Sequence, residues 1–175
     1  MLHDASRPIR EAAGQASWVA PSKLHLTLKF LGDIDEGRVP EIAARLREIA
    51  TAHRSITLDI GGAGVFPNLR APRIVWMGVE TDARLELLGH DIERAFEALG
   101  FPMEGRAFRP HITLGRLRSP LDAARRGALQ DALRASTIRR RIPVQTVDLM
   151  ASTLGAGGSS YRVLTAAPLG EGEER

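Results

Sequence analysis

The stretch that decides the fold occurs twice, as Leu24-His25-Leu26-Thr27-Leu28 and as Pro110-His111-Ile112-Thr113-Leu114. Side chains alternate between the two faces of a β-strand, so each copy would place its histidine and threonine on one face and its aliphatic residues on the other. The pattern therefore predicts two strands that each bury an aliphatic edge and present an imidazole beside a hydroxyl. A fold that joined the polar faces would bring two histidines and two threonines to one cleft.

Length and composition are those of an ordinary globular protein. The chain has 175 residues, 43% of them hydrophobic and 26% charged, which suits one domain with its own core. No apolar run approaches the roughly 20 residues that span a bilayer, and the N-terminus lacks the pattern of a secretion signal, so we expect a cytoplasmic protein. The absence of cysteine excludes disulfides, thiolate metal sites and cysteine nucleophiles.

The charge balance is basic, with a net charge of +3, and 22 of the 24 basic residues are arginine. Guanidinium groups suit phosphate, so this composition weakly favours an anionic partner, although a GC-rich coding bias would produce the same excess. The cluster Arg139-Arg140-Arg141 could contact an RNA backbone or could form a solvated surface. Composition leaves both readings open.

The order of predicted elements is similar in the two halves of the chain. Apolar periodicity predicts helices over 3–14, 36–52, 82–99 and 121–135, and strands over 24–31, 56–60, 74–79, 110–117, 144–151 and 161–166. Glycine-rich loops are predicted over 61–73 and 155–159. Each half thus has a His-x-Thr strand, a helix, a strand, a glycine-rich loop and another strand. This order predicts an α+β fold of two related, pseudo-symmetric lobes.

The repeated histidines are candidates for acid–base chemistry at a phosphodiester. In-line displacement at phosphorus needs a base for the attacking oxygen and an acid for the leaving oxygen, on opposite sides of the phosphorus. Histidine can serve in both roles because its unperturbed pKa is about 6.5. The imidazole nitrogens should then lie roughly 5–8 Å apart, the span of two hydrogen bonds and the group between them. His25 and His111 are predicted to be this pair.

Thr27 and Thr113 supply fixed hydroxyl donors for the non-bridging phosphate oxygens, because each lies two residues from its histidine on the same face. Arg116, five residues after His111, could add a charged donor. No carboxylate adjoins either motif, which counts against a two-metal phosphatase, and the proposed chemistry requires neither metal nor cofactor.

A single His-x-Thr segment is usually a structural accident, but two copies in register at matching places are difficult to obtain by chance. No similar pattern accompanies the remaining histidines, which are interpreted as surface or packing residues: His3, His53 and His90. The large aromatic residues are interpreted as core rather than as platforms for stacking bases, although one of them follows the first motif closely: Trp18, Trp76 and Phe30.

The segments 18–32 and 108–116 closely resemble the two HxTx motifs of the two-histidine phosphoesterase superfamily. Within that superfamily the match is to the bacterial and archaeal RNA 2',3'-cyclic phosphodiesterases, formerly called 2'-5' RNA ligases. The resemblance covers nearly the whole chain, including the following further segments: 64–67, 75–76, 100–101 and 154–164.

This resemblance implies one domain over 1–175, built of two lobes that each have an antiparallel-type sheet with helices on its outer face. The N-terminal lobe would contribute the first motif at 25–28, the C-terminal lobe the second at 111–114, and the active-site cleft would lie between the lobes. Members of the family usually begin with a strand before the first helix, which is not found after Met1. Either the start codon is assigned too late, which would leave an unpaired sheet edge or an unfilled core position, or the protein tolerates the loss of this strand.

The resemblance also implies the reaction, which is hydrolysis of a terminal 2',3'-cyclic phosphate to a 2'-phosphate. By position, His25 matches the family's proton donor and His111 its proton acceptor, Thr27 and Thr113 match the phosphate-holding threonines, and Arg116 matches an arginine often found after the second motif. Relatives can also join RNA ends through a 2'-5' linkage without ATP. The expected partners are RNA ends, with no membrane, and the expected state is a monomer.

Two other functions stay open at this point. One is a phosphodiesterase that acts on small cyclic nucleotides, which would prefer a mononucleotide to an RNA end in competition. The other is a module that binds RNA ends without turnover. Binding alone does not need two proton-transfer groups, so the intact pair of histidines favours an enzyme.

Overall fold

The computed structural model describes residues 2–155 and 158–170 and contains five α-helices and seven β-strands in these ranges. The helices are α1 (Leu2–Ala5), α2 (Arg7–Ala13), α3 (Val39–Ala52), α4 (Ala83–Glu97) and α5 (Ala123–Arg134). The strands are β1 (Ala16–Trp18), β2 (Ile56–Phe66), β3 (Ile74–Glu80), β4 (His111–Leu117), β5 (Arg139–Val144), β6 (Thr146–Gly155) and β7 (Gly158–Pro168). Short 3-10 turns occupy Pro21–Lys23 and Glu36–Arg38.

The strands form two sheets. One has five strands in the order β1-β4-β3-β2-β5, and the other is the two-stranded hairpin of β6 and β7. Pairing is antiparallel between β1 and β4, β3 and β4, β2 and β3, and β6 and β7. Helices combined with antiparallel sheets confirm the predicted α+β class. None of the helices within residues 2–155 and 158–170 has the length and apolarity that a bilayer span requires.

The chain divides into two compact units, and each unit takes three stretches from different parts of the sequence. The first unit comprises Met1–Thr27, Leu58–Glu80 and Pro110–Ile142, and the second comprises Leu28–Thr57, Thr81–Arg109 and Pro143–Arg175. The sequence predicted lobes that follow the two halves of the chain, with one motif in each. The histidine and threonine of both His-x-Thr segments belong to the first unit.

The first unit contains the five-stranded sheet, and in it α2 packs against α5. The side chain of Asp122 begins α5 by accepting a hydrogen bond of 2.8 Å from the backbone N–H of Arg125. Large apolar side chains are buried in this unit, among them Ile9, Leu58, Ile60, Val75, Met77, Val79, Ile112, Leu114, Leu121 and Leu129. Their burial makes this sheet a rigid support for the polar residues on its strands.

In the second unit α3 packs against α4 and against both strands of the hairpin. Asp82 caps α4 by accepting a bond of 2.8 Å from the N–H of Leu85, as Asp122 does for α5. The buried side chains of α3 and α4 include these apolar residues, which recur at helical spacing: Ile42, Leu46, Ile49, Leu85, Leu88, Ile92 and Phe96.

The structure differs from the sequence-based prediction in four places. The segment 61–66, predicted as a loop, continues β2, which accommodates its glycines as a bulge between Ile60 and Ala63 where Gly62 has a φ of +69°. The segment 24–31, predicted as a strand, makes only an isolated bridge at Leu26. β1 and β5 were not predicted, because β1 is three residues long and β5 is rich in arginine. Part of the predicted loop 155–159 lies outside the described residues.

Two adjacent leucines on α4 test this account of the core. Leu88 is 2% exposed and Leu87 is 54% exposed. We expect Leu88→Ala to lower the free energy of unfolding by about 2–4 kcal/mol, because it removes packed methyl groups and leaves a cavity. Leu87→Ala should change it by less than about 0.5 kcal/mol. Urea unfolding followed by circular dichroism measures both, and equal losses would contradict the packing described for α4.

Candidate active site

The two His-x-Thr segments lie side by side in the first unit. Leu26 forms an antiparallel bridge with Ile112, the central aliphatic residue of the second motif. One step to either side of this bridge, the antiparallel register sets His25 opposite Thr113 and Thr27 opposite His111. The two histidines are then diagonal neighbours, a relation that separates residues by about 7–8 Å. Backbone positions this close allow both imidazoles to extend toward one phosphate group.

Burial alternates in the second motif as the sequence predicted. Ile112 and Leu114 are buried, and His111 and Thr113 are half-buried. The first motif differs, because its leucines at positions 24, 26 and 28 are only half-buried, His25 is half-buried and Thr27 is exposed. The aliphatic edge of this segment is thus not part of the core, which agrees with its single bridge to β4.

The first motif reaches β4 along the same edge that β1 uses. β1 pairs with the last residues of β4, from Ala16 opposite Leu117 to Trp18 opposite Gly115, and the N–H of Val19 then donates to the carbonyl of Leu114 at 2.8 Å. The chain leaves the sheet in the turn Pro21–Lys23 and returns at Leu26. β3 occupies the opposite edge of β4, where Met77 pairs with Ile112. The motif is therefore a continuation of β1 that is interrupted by one turn.

The turn before the motif fixes the tautomer of His25. Its Nδ1 lies 2.7 Å from the carbonyl oxygen of Lys23. A carbonyl oxygen only accepts hydrogen bonds, so Nδ1 is the donor and carries the hydrogen whether the ring is neutral or protonated. Nε2 is then the nitrogen at which His25 can gain or lose a proton.

Two aromatic rings hold His111. The Phe66 ring meets the imidazole edge-on with centroids 5.0 Å apart, and the Trp76 ring lies 6.3 Å from it. Phe66 and Trp76 also contact each other at 5.1 Å. These contacts restrict rotation of the imidazole and thereby orient its nitrogens.

The aromatic residues near the motifs differ from their interpretation as core. Trp76 is half-buried and contacts His111, and Phe30 is 72% exposed. Trp18 is also half-buried and covers Gly115, where a side chain would collide with its ring. Phe66 was not predicted as a residue of the site, although Gly64-Val65-Phe66-Pro67 was one of the segments of resemblance.

Arg116 lies on the same face of the sheet as His111 and Thr113 because β4 is irregular. In a regular strand, residues 111 and 116 would face opposite sides, since five is an odd interval. The pairing with β3 shifts between Val75 and Trp76, so that Trp76 opposes Thr113 while Val75 already opposes Gly115. After this shift Arg116 opposes Ile74, which shares a face with Trp76. The bulge thus places a guanidinium on the polar face.

A buried ion pair anchors the chain just after the first motif. Lys29 Nζ lies 2.6 Å from Glu93 Oε2 and also donates to the Pro102 carbonyl at 2.8 Å, and the same carboxylate oxygen accepts from the N–H of Glu104. The Lys29 side chain is only 2% exposed. The sequence sets Lys29 apart, because it is one of only two lysines among the 24 basic residues. The compact ammonium group of lysine suits this site better than the larger, planar guanidinium group of arginine.

The remaining histidines take part in local contacts away from the motifs. His3 bonds to Arg10 at 2.8 Å, and His53 bonds to Asp91 at 2.9 Å. His90 lies exposed on α4. Within the described ranges, no group of three or more histidine, aspartate or glutamate side chains could hold a metal ion.

The Lys23 contact predicts the protonation of His25 in solution. In long-range ¹H–¹⁵N spectra above the titration of the ring, we expect His25 to show a protonated Nδ1 and an unprotonated Nε2. The exposed His90 serves as the control and should show the mixture typical of a free imidazole. A His25 ring protonated at Nε2 and not at Nδ1 would contradict the contact.

Several curated proteins with sequences similar to this chain share one name. RNA 2',3'-cyclic phosphodiesterase of Methanothermobacter thermautotrophicus is 34% identical over 153 residues, which cover 87% of this chain and 82% of the relative. The proteins of the same name from Aquifex aeolicus and Thermotoga maritima are also 34% identical, and the matches cover 84% and 85% of this chain and 78% and 77% of those relatives.

Solved structures of other proteins superpose on this structure over nearly its whole length. A protein of Thermus thermophilus superposes with a TM-score of 0.74 at 27% identity, over 96% of this chain and 87% of that one. E. coli LigT in its apo form superposes with a TM-score of 0.68 at 27% identity, over 97% of this chain and 88% of that one. The family profile of the 2'-5' RNA ligase superfamily matches residues 2–155. This chain therefore belongs to the 2'-5' RNA ligase superfamily.

Proposed function

We propose that this protein is an RNA 2',3'-cyclic phosphodiesterase, an enzyme that hydrolyses a terminal 2',3'-cyclic phosphate to a 2'-phosphate. The observation that carries the proposal is the pairing of Leu26 with Ile112, which sets two His-x-Thr segments side by side. The name shared by relatives that are about 34% identical supports the same substrate. The partners are RNA ends in the cytoplasm, and a monomer suffices because one unit of the chain carries both motifs.

The reaction replaces one phosphorus–oxygen bond by another. Water attacks the phosphorus in line with the bond to O3', a new bond forms to the water oxygen, and the bond to O3' breaks. One imidazole removes a proton from the water, and the other delivers a proton to O3'. The products are a 2'-phosphate and a free 3'-hydroxyl, and each imidazole ends in the protonation state in which the other began.

His25 is proposed as the acid and His111 as the base, an assignment that follows the resemblance to the family. The contact between His25 Nδ1 and the Lys23 carbonyl supports Nε2 as the nitrogen that delivers the proton. The ring contacts of Phe66 with His111 support a base whose orientation is set before substrate binds.

Thr27, Thr113 and Arg116 are proposed to bind the non-bridging oxygens. The threonines stand diagonally across the same pair of segments, so their hydroxyls could approach a phosphate from two sides. Arg116 adds a charge that offsets the negative charge of the transition state. The same arrangement could also join RNA ends, with the 5'-hydroxyl of a second RNA in place of water: this hydroxyl attacks the phosphorus of the cyclic end, the bond to O3' breaks, and a 2'-5' linkage forms.

The proposal predicts the position of the phosphate in the product. An RNA with a 2',3'-cyclic end, incubated with the protein and EDTA, should yield only the 2'-phosphate, because in-line attack displaces O3' and requires no metal ion. ³¹P NMR or enzymatic digestion of the product distinguishes the isomers. A 3'-phosphate, or activity that depends on added metal, would contradict the mechanism.

The same assay decides the substrate class. An oligonucleotide with a cyclic end and a 2',3'-cyclic mononucleotide compete in one reaction, and the ratio of their rates gives the ratio of kcat/KM. We expect the oligonucleotide to react faster. A strong preference for the mononucleotide would instead support an enzyme that acts on small cyclic nucleotides.

Substitution of either histidine should abolish the dependence of the rate on two ionisations. Wild-type kcat/KM should follow a bell-shaped curve against pH, since one imidazole must be protonated and the other neutral. His25→Ala and His111→Ala should each lower kcat by about 10²–10⁴-fold and remove one limb of the curve. His90→Ala, an exposed histidine outside the motifs, is the matched control and should leave the curve unchanged.

The result for RNA binding separates an enzyme from a binding module. RNA ends that bind wild-type protein without turnover at every pH would overturn the proposed enzyme and favour the module. Retention of the bell-shaped curve in both histidine variants would show that other groups transfer the protons.

A further inference from the structure

Two neighbouring glycines lie in the sheet beside His111, one on β3 and one on β2. Gly78 on β3 opposes His111, and a Cβ added to Gly78 would lie 2.6 Å from the carbonyl oxygen of Gly61 on β2. Neither residue adopts a positive φ, so backbone conformation does not explain the glycines. The missing side chain of Gly78 lets the carbonyl of Gly61 approach closely, and Gly61 lies two strand spacings, about 10 Å, from β4.

Arg139 of β5 covers the far end of this glycine pair, which consists of Gly61 and Gly78. A Cβ added to Gly61 would lie 2.5 Å from Arg139 Nη1 and 2.9 Å from its Cζ, so the guanidinium lies over Gly61. Gly61 follows Ile60, which is buried and pairs with Val79, so by alternation it faces the side that carries Gly78. Arg139 and His111 thus lie over the same face of the sheet.

The charges around Arg139 leave it able to accept an anion. Its only side-chain hydrogen bond within the described part of the chain is from Nη1 to the carbonyl of Ile138, at 3.2 Å. Arg140 also bonds only to a carbonyl in those same ranges, whereas Arg141 pairs with Asp59 at 3.2 Å. A depression of about 320 Å³ lies at this cluster and is lined by the three arginines, Asp59, Ile60 and Glu80. The two carboxylates leave an excess of positive charge.

We propose that Arg139 forms a phosphate subsite that binds the phosphodiester on the 5' side of the terminal nucleotide of the RNA. The inference rests on the proposed function and extends it to a second point of contact. A ribose crossing the sheet at Gly78 would meet no side chain of that residue before the chain reached the guanidinium over Gly61, and about 10 Å is comparable to a step of roughly one or two nucleotides along an extended strand. A guanidinium that bonds only to a backbone carbonyl is suited to a phosphate at that position.

The subsite predicts a difference between two substrates. A 2',3'-cyclic mononucleotide with a free 5'-hydroxyl has no phosphate for Arg139, and a dinucleotide with a cyclic end has one. Arg139→Ala should raise KM for the dinucleotide about fivefold and leave kcat for it within about twofold, since the contact lies away from the reacting bonds. Its kcat/KM for the mononucleotide should match that of the wild type.

Two further variants separate the role of the charge from that of packing. Gly61→Ala keeps the arginine but places a methyl group where the guanidinium lies, so it should also raise KM for the dinucleotide alone. Arg134→Ala removes an exposed arginine from α5 in the same unit and should affect neither substrate. Equal effects of Arg139→Ala on both substrates, or no effect on either, would overturn the subsite.

A binding measurement keeps this test independent of catalysis. The affinity of a labelled single-stranded RNA ending in a 2'-phosphate is measured by fluorescence anisotropy at several salt concentrations. Loss of one phosphate contact should reduce the slope of log K against log salt by about 0.7 in Arg139→Ala. If the slope for the wild-type protein is steeper by about 0.7 than the slope for Arg139→Ala, but the wild type hydrolyses neither substrate, the proposed reaction fails and the subsite stands. An unchanged slope would overturn the subsite, whatever the activity.

Discussion

The site depends on one backbone pairing, that of Leu26 with Ile112. This bridge determines which residues of the two motifs oppose each other, because antiparallel register is fixed once one pair is known. A slip of one residue would turn the imidazole and hydroxyl of the first motif to the other face of the sheet. The aliphatic partners thus set the relative positions of the proposed catalytic residues through register, even though Leu26 itself is only half-buried.

The two sides of the pairing differ in rigidity. His111 belongs to a strand that has neighbours on both edges, and it is held by the rings of Phe66 and Trp76. His25 lies between a 3-10 turn and a single bridge, and its ring is tied to the turn through the carbonyl of Lys23. The chain then continues to the buried charge of Lys29, which is fixed by Glu93. Hydrogen bonds on both sides of the motif therefore restrain the segment that carries His25, whereas strand pairing restrains His111.

Sequence reasoning identified the helices, the α+β class and the paired motifs, because these depend on periodic burial and on a repeated pattern of residue types. It did not predict β5, since arginine side chains hide the alternation that marks a strand. It also treated 61–73 as a loop, although β2 continues through Phe66 and carries its glycines for close approach. The division into compact units could not be read from the order of elements, because long-range strand pairing decides which stretches pack together.

The bulge in β4 has a consequence for recognising such sites in other chains. A histidine and an arginine that are an odd number of positions apart on one strand face the same side of the sheet only if a bulge adds a residue between them. In β4 this bulge lies before Gly115. An odd interval between two such residues therefore indicates a bulge in the strand, and it can be recognised from the sequence alone. If the motif were transferred to a strand without a bulge, the spacing between the histidine and the arginine would have to change by one residue. Otherwise the arginine would face the interior.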